Sequence, residues 1–155
     1  MDQSSLRLLW LTILGSIALG FVLSRYHLGA MSDNENQVLM SGLALIVVGL
    51  VVRWTAILSL WSYFTVDVSI DDTHRLVTTG IYKFVRHPAY TGSLLSFVGL
   101  GLVFLNWLSL VIIVLPITIA FVYRIKVEEQ ALVAFFGDQY VRYCETTRRL
   151  IPKIY

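Results

Sequence analysis

The stretch KFVRHPAYTG, residues 83–92, places Lys83, Arg86, His87, Pro88 and Tyr90 between two apolar runs. Pro88 restricts its own backbone and pushes His87 into an extended conformation, so Arg86, His87 and Tyr90 project from a helix start. The N-terminus of a helix offers unpaired N–H groups and the positive end of a dipole, a seat for a carboxylate or phosphate. The same residues also suit an aromatic and basic anchor at a membrane interface, and residue types alone leave both readings open. A second cluster, RIKVEE, residues 124–129, spaces Arg124 and Glu128 i, i+4. That pair is either a surface helix ion pair worth ~0.3–0.5 kcal/mol or half of a site. Both clusters are expected at one depth in the membrane, and a basic cluster facing an acidic one suits a zwitterionic ligand.

Between them, DVSIDDTHRLVTTGIY, residues 67–82, reads as a structured interfacial loop. Asp71, Asp72 and Thr73 cap a turn, and Gly80 supplies a bend. His27, His74 and His87 lack the spacing of metal ligands, so no metal is expected. Neither a GxGxxG nor a GxxxxGK loop is present, which argues against the usual nucleotide cradles.

These clusters need elements to hold them, and the composition says which kind. The 155 residues are 57% hydrophobic and 14% charged, against ~25% charged for a soluble domain. This is the composition of an all-α integral membrane protein, read as a single domain over 1–155 with two N-terminal spans in 1–60 and a catalytic core in 61–155. A net charge of +2 is too small to suggest nucleic acid as a partner, and a single cysteine, Cys144, excludes an intrachain disulfide. Four apolar stretches are expected to span: Leu6–Leu23, Val38–Leu60 with Arg53 inside it, Thr91–Leu105, and Trp107–Tyr123 after a break at Asn106. About 20 residues cross a bilayer core, so the third is short. The first has no convincing cleavage signal and reads as a retained helix. Arg53, near the end of its span, reads as a cation that snorkels to the interface.

Lysine and arginine concentrate in 61–90 and after residue 123, whereas 24–37 holds only Arg25. By the positive-inside rule, both termini and the long middle loop are cytoplasmic. In the tail, Val127, Ala131, Leu132, Phe135 and Phe136 keep helical spacing, so the fourth span continues as an amphipathic helix. Gly137 is the expected stop, Asp138 the next N-cap, and Pro152 the end of the second piece.

The pair THRLVTTGIYKFVRHPAYTG and EEQALVAFFGDQYVRYCETTRRLIP resembles the isoprenylcysteine carboxyl methyltransferase family and its bacterial relatives, from about Asp67 to Pro152. The RHPxYxG and EE elements are also similar to those of membrane phospholipid N-methyltransferases. The resemblance implies a membrane methyltransferase that uses S-adenosylmethionine. The cofactor would be enclosed by the cytoplasmic ends of the last spans, the preceding loop and the C-terminal helix. It implies cofactor contacts from His74, Arg75, Leu76, Val77, Tyr82, His87, Pro88, Ala89, Tyr90 and Glu128. Glu129 would be the alternative to Glu128. Asp67 falls where the family often has an amide. Arg124 matches the arginine that faces the substrate, and Arg149 would brace the pocket.

Such a site would methylate a lipophilic small molecule or lipid-modified substrate, most readily at a carboxylate. The acceptor would enter sideways from the membrane lipids, and the cofactor from the cytoplasm. A thiol or hydroxyl acceptor would need a base, for which His87 and Glu129 are the candidates. Only two spans precede the shared region, which points to a prokaryotic inner membrane and away from prenylcysteine. Three other readings stay in view: an NADPH-dependent reductase of the sterol type, whose tail is similar, a phospholipid or amine N-methyltransferase, and a membrane scaffold with no activity. The oligomeric state is not readable.

Overall fold

The computed structural model describes residues 3–26, 28–31, 34–60, 76–152 and 154–155. Five α-helices make up nearly all of it: α1 (Gln3–Ser24), α2 (Glu35–Leu60), α3 (Pro88–Val103), α4 (Trp107–Phe136) and α5 (Asp138–Thr146). A single 3-10 turn, Gly80–Lys83, precedes α3. The membrane-type helices α1, α2 and α4 are long and apolar enough to cross a bilayer, and α3 is a shorter apolar helix. Its 16 residues rise about 24 Å, short of a ~30 Å core. It begins at Pro88, three residues before the expected span, because the proline is pre-set for the first helical turn.

Chain order is not spatial order. The helices pack as α1 on α4, α4 on α3, and α3 on α2, so the first two helices stand at opposite edges. Between α1 and α4 lies the apolar core of Leu9, Ile13, Ile113, Ile117, Ala120 and Phe121. The α2–α3 pair is closer still. A Cβ on Gly49 would lie 2.4 Å from the Gly92 carbonyl oxygen, and one on Gly92 would lie 2.5 Å from that of Gly49. Only glycine allows backbones to touch there, a packing mode that suits membrane helices. Arg53, one turn further along α2, is half-buried and turned to α3, where its Nη1 donates to Ser93 Oγ at 2.5 Å. It does not simply reach along its own helix for the interface.

The α3–α4 connection is tight. Leu105 adopts φ +50°, and Asn106 caps α4 by accepting from the Ser109 N–H at 3.0 Å. Asn106 is fully buried and its Nδ2 also donates to Leu28 O, tying in the α1–α2 loop. At the other end α4 runs on without a break to Phe136. Gly137, at φ +52°, is both the C-cap of α4 and the N-cap of α5. Asp138 is therefore the first residue of α5 and not its cap, because the reversal needs a positive φ that glycine takes cheaply. Helix α5 stops at Thr146, well before Pro152. Thr147 turns extended, and its hydroxyl donates to Tyr143 O at 2.7 Å.

Candidate active site

The site is built where six chain segments meet at one end of the bundle. Tyr82, in the 3-10 turn, donates from its hydroxyl to Ala56 O near the end of α2. Tyr143 on α5 donates to Tyr82 O at 2.5 Å. After this turn the chain runs extended beside the C-terminal segment: Arg86 N–H donates to Arg148 O at 2.7 Å and His87 N–H to Arg149 O at 3.0 Å. Pro88 then opens α3, with His87 as its N-cap at φ −123°. The tail residues are thereby placed directly over the start of α3. Thr91 Oγ1, donating to Leu150 O at 2.8 Å, secures them from below.

Two adjacent glutamates of α4 organise the charges. Glu128 Oε1 accepts from Tyr90 Oη at 2.5 Å and from Arg124 Nε at 3.1 Å. Its Oε2 stands 3.7 Å from His87 Nδ1. Glu129 Oε1 accepts from Arg86 Nε at 3.0 Å, and Oε2 accepts from Arg149 Nε at 2.8 Å. Arg86 also donates from Nη1 to the carbonyls of Cys144 and Thr147, so one guanidinium gathers α4, α5 and the tail. His87 lies between the two acids, with Nε2 3.4 Å from Glu129 Oε1. Three guanidiniums thus face two carboxylates, a formal surplus of positive charge before any charge on His87.

Around this network the ionisation is strongly biased. The Glu129 carboxylate, bonded to Arg149, holds that guanidinium charged well above its usual range. Burial pushes the Tyr143 phenol up to about 12 and raises the Cys144 thiol. Neither residue is poised to act as a nucleophile near neutral pH.

Several residues expected at the site converge here: Tyr82, His87, Pro88, Ala89, Tyr90, Arg124, Glu128, Glu129 and Arg149. Leu76 and Val77 are half-buried and lead into the 3-10 turn. Asp67, His74 and Arg75, together with the proposed caps Asp71, Asp72 and Thr73, lie outside the described residues, as does His27. Residue types had not singled out Ser5, Tyr143 or Thr147. Arg86 stands in the RHPxYxG motif, and its spacing from Pro88 was the only available signal for its role.

A methyl-donor cofactor with amino, carboxylate and sulfonium groups needs acceptors, donors and aromatic faces together. The residues present fit it. Glu128 supplies carboxylate oxygens, and the Tyr90 ring lies beside them. The buried His87 Nε2 makes no well-aligned hydrogen bond among the described residues, although Glu129 Oε1 stands 3.4 Å away. An open cleft of about 440 Å³, lined by Lys126, Glu129, Gln130, Val133 and Arg149, adjoins the network. That is within the ~300–1,000 Å³ of small-molecule sites.

Long apolar helices with a buried ion-pair network at one end define a multi-pass integral membrane protein with a polar site at the membrane face. The model of the isoprenylcysteine carboxyl methyltransferase (ICMT) family matches residues 42–134, and the chain belongs to that family. It is 35% identical over 113 residues to protein-S-isoprenylcysteine O-methyltransferase B of Arabidopsis thaliana, covering 72% of this chain and 57% of that one. It is 38% identical over 115 residues to the Xenopus laevis enzyme, covering 73% and 40%. The solved structure of a eukaryotic intramembrane Ras methyltransferase of the family superposes with a TM-score of 0.79 at 31% identity, covering 94% of this chain and 52% of that one. The chain therefore spans about half the length of the relatives it matches.

Proposed function

We propose that the protein is an integral-membrane methyltransferase that uses S-adenosylmethionine to methylate the carboxylate of a lipophilic acceptor. The observation that carries this reading is Glu128, held by Tyr90 and Arg124 beside a buried His87 at the end of the spans. The relatives named above are protein-S-isoprenylcysteine O-methyltransferases, which favours this reading over a reductase, an amine methyltransferase or a scaffold.

The cofactor, when bound, supplies an electrophilic methyl group on a sulfonium. Glu128, Tyr82 and the His87–Tyr90 stretch would hold it, with Leu76 and Val77 from the preceding segment. Asp67, His74 and Arg75 are proposed to complete that wall. The acceptor carboxylate is already ionised at neutral pH, so no base is required. What it requires is orientation and loss of competing water. Arg124, buried beside Glu128, would orient it through its guanidinium charge. Both oxygens of Glu129 are engaged by Arg86 and Arg149, which suits a bracing role for Glu129 and Arg149 better than proton abstraction.

The described groups among these gather at one end of the bundle, together with Arg7, Lys83, Lys126 and Arg148, whereas Arg25 lies at the other end of α1. We assign the charged face to the cytoplasm. The prokaryotic inner membrane expected from the sequence stands as a proposal only, and the relatives named are eukaryotic.

The test is calorimetric titration of the detergent-purified protein with S-adenosylhomocysteine, with NADPH as comparison, followed by methylation of an N-acyl S-isoprenylcysteine. Saturable binding of the homocysteine compound, lost in Glu128→Ala, is expected. Binding of NADPH alone would sink the reading.

A further inference from the structure

Two hydrogen bonds help to anchor Arg124. Its Nε donates to Glu128 on the same helix, and its Nη1 donates to Ser5 Oγ at 2.5 Å, across 119 positions of sequence. Ser5 lies in the first turns of α1 and is 2% exposed; Arg124 is 1% exposed. Helix α1 runs antiparallel along α4, fixed by Leu9 and Ile13 against Ile113, Ile117, Ala120 and Phe121. At its far end Ser109 Oγ donates to Gly20 O at 2.7 Å, which sets the register that brings Ser5 opposite Arg124. Ser5 and all of α1 lie outside the segment that the family model matches.

We propose that Ser5 is a positioning residue for methyl transfer: its hydroxyl holds the Arg124 guanidinium in the orientation that receives the acceptor carboxylate. This rests on the methyltransferase reading above. A long arginine side chain has many rotamers, and a planar fork recognises a carboxylate only when its plane is set. Glu128 restrains the Nε edge, and Ser5 restrains one Nη arm. A hydroxyl does so without adding negative charge to that of Glu128. A carboxylate at position 5 would compete with the acceptor. Displacement of such a group by about 1 Å can lower the rate by roughly 10²-fold.

The experiment compares the full chain in detergent with S5A, S5T and S5D. The measurements are S-adenosylhomocysteine affinity, and KM and kcat for an N-acyl S-isoprenylcysteine. Hydrogen exchange of the Arg124 Nη resonance, assigned by its loss in R124K, is read on ¹⁵N-arginine-labelled protein. S5A should keep cofactor-analogue affinity and stay folded with a melting temperature only a few degrees lower, but lose about tenfold in acceptor kcat/KM, the worth of one hydrogen bond to a charged group. Its Nη exchange should accelerate. S5T should recover most of the loss, and S5D should raise the acceptor KM above that of S5A. Unchanged acceptor kinetics and Nη exchange in S5A would overturn the proposal. So would a loss of folding and cofactor affinity together that S5T does not repair. If the wild type bound no S-adenosylhomocysteine and methylated nothing, the functional reading itself would fail. The Nη exchange would then still decide whether Ser5 orients Arg124.

Discussion

Arg86 and Glu129, 43 positions apart, meet at 3.0 Å with both side chains about nine-tenths buried. The second oxygen of Glu129 takes Arg149 from the tail. One carboxylate therefore locks the start of α3, the last third of α4 and the C-terminal segment into a single body. Removing one partner of a buried ion pair leaves charge uncompensated, which costs more than the pair was worth.

Glu129→Ala should accordingly destabilise the protein by about 3 kcal/mol. It should also free the tail, and trypsin should cut after Arg148 or Arg149 much faster than in the parent. Thermal unfolding in detergent and timed proteolysis check this. An unchanged cleavage rate would mean that the tail is held by its backbone pairing to Arg86 and His87 alone.

Tyr90→Phe removes one hydroxyl and keeps the ring that packs on Phe121, 4.8 Å between centroids. Glu128 then loses its shortest donor. A hydrogen bond to a charged group is worth ~1.5–3 kcal/mol, so cofactor-analogue affinity should fall at least tenfold. Stability should also fall, by about 1–2 kcal/mol, less than in Glu129→Ala. Calorimetry against wild type gives both numbers.

The glycine contacts between α2 and α3 make a sharper structural test. Gly49→Ala and Gly92→Ala each force a methyl to within 2.6 Å of backbone atoms, so the helices must separate. A loss of about 1–3 kcal/mol is expected for each. Gly15→Ala, with nothing within 4 Å of the new methyl, should be neutral or slightly stabilising. Equal melting temperatures for all three variants would contradict the close approach.

Tyr143 offers a prediction in pH. Burial raises its phenol to about 12 in the folded protein, against about 10 when unfolded. The folded state thus keeps a proton that the unfolded chain has lost. Stability from this group is complete below pH 10 and falls between about pH 10 and 12. Tyr143→Phe should flatten that part of the profile while losing the hydrogen bond to Tyr82 O. A wild-type stability that stayed level from pH 9 to 12 would contradict the burial.

Much of this protein was written in local sequence. Runs such as Val38–Leu60 announce membrane helices because the bilayer leaves backbone polar groups no partners but their own. Asn106 marks the break before α4, and Arg124 and Glu128 pair as their i, i+4 spacing implies, since both are properties of a single helix turn. Where the tail turns was harder to see. Asp138 looked like a cap, yet the glycine before it takes that role, because the reversal demands a positive φ. The end of α5 was missed too, since Thr147 leaves the helix to pair with Arg86 rather than because Pro152 breaks it.

The sequence by itself determined that the chain is a helical membrane protein of the isoprenylcysteine carboxyl methyltransferase family, with basic and acidic clusters near one face. Only the tertiary structure decided which charge meets which. Arg86 could have faced either glutamate; the backbone pairing of residues 86–87 with 148–149 aims it at Glu129 and leaves Glu128 to Tyr90 and Arg124. Likewise no local pattern joins Ser5 to Arg124. That contact comes from the register of two antiparallel helices, a long-range packing choice made by Leu9, Ile13 and their partners on α4. Periodicity specifies which face of a helix is apolar, but not which other helix will cover it, and the site is assembled from those pairings.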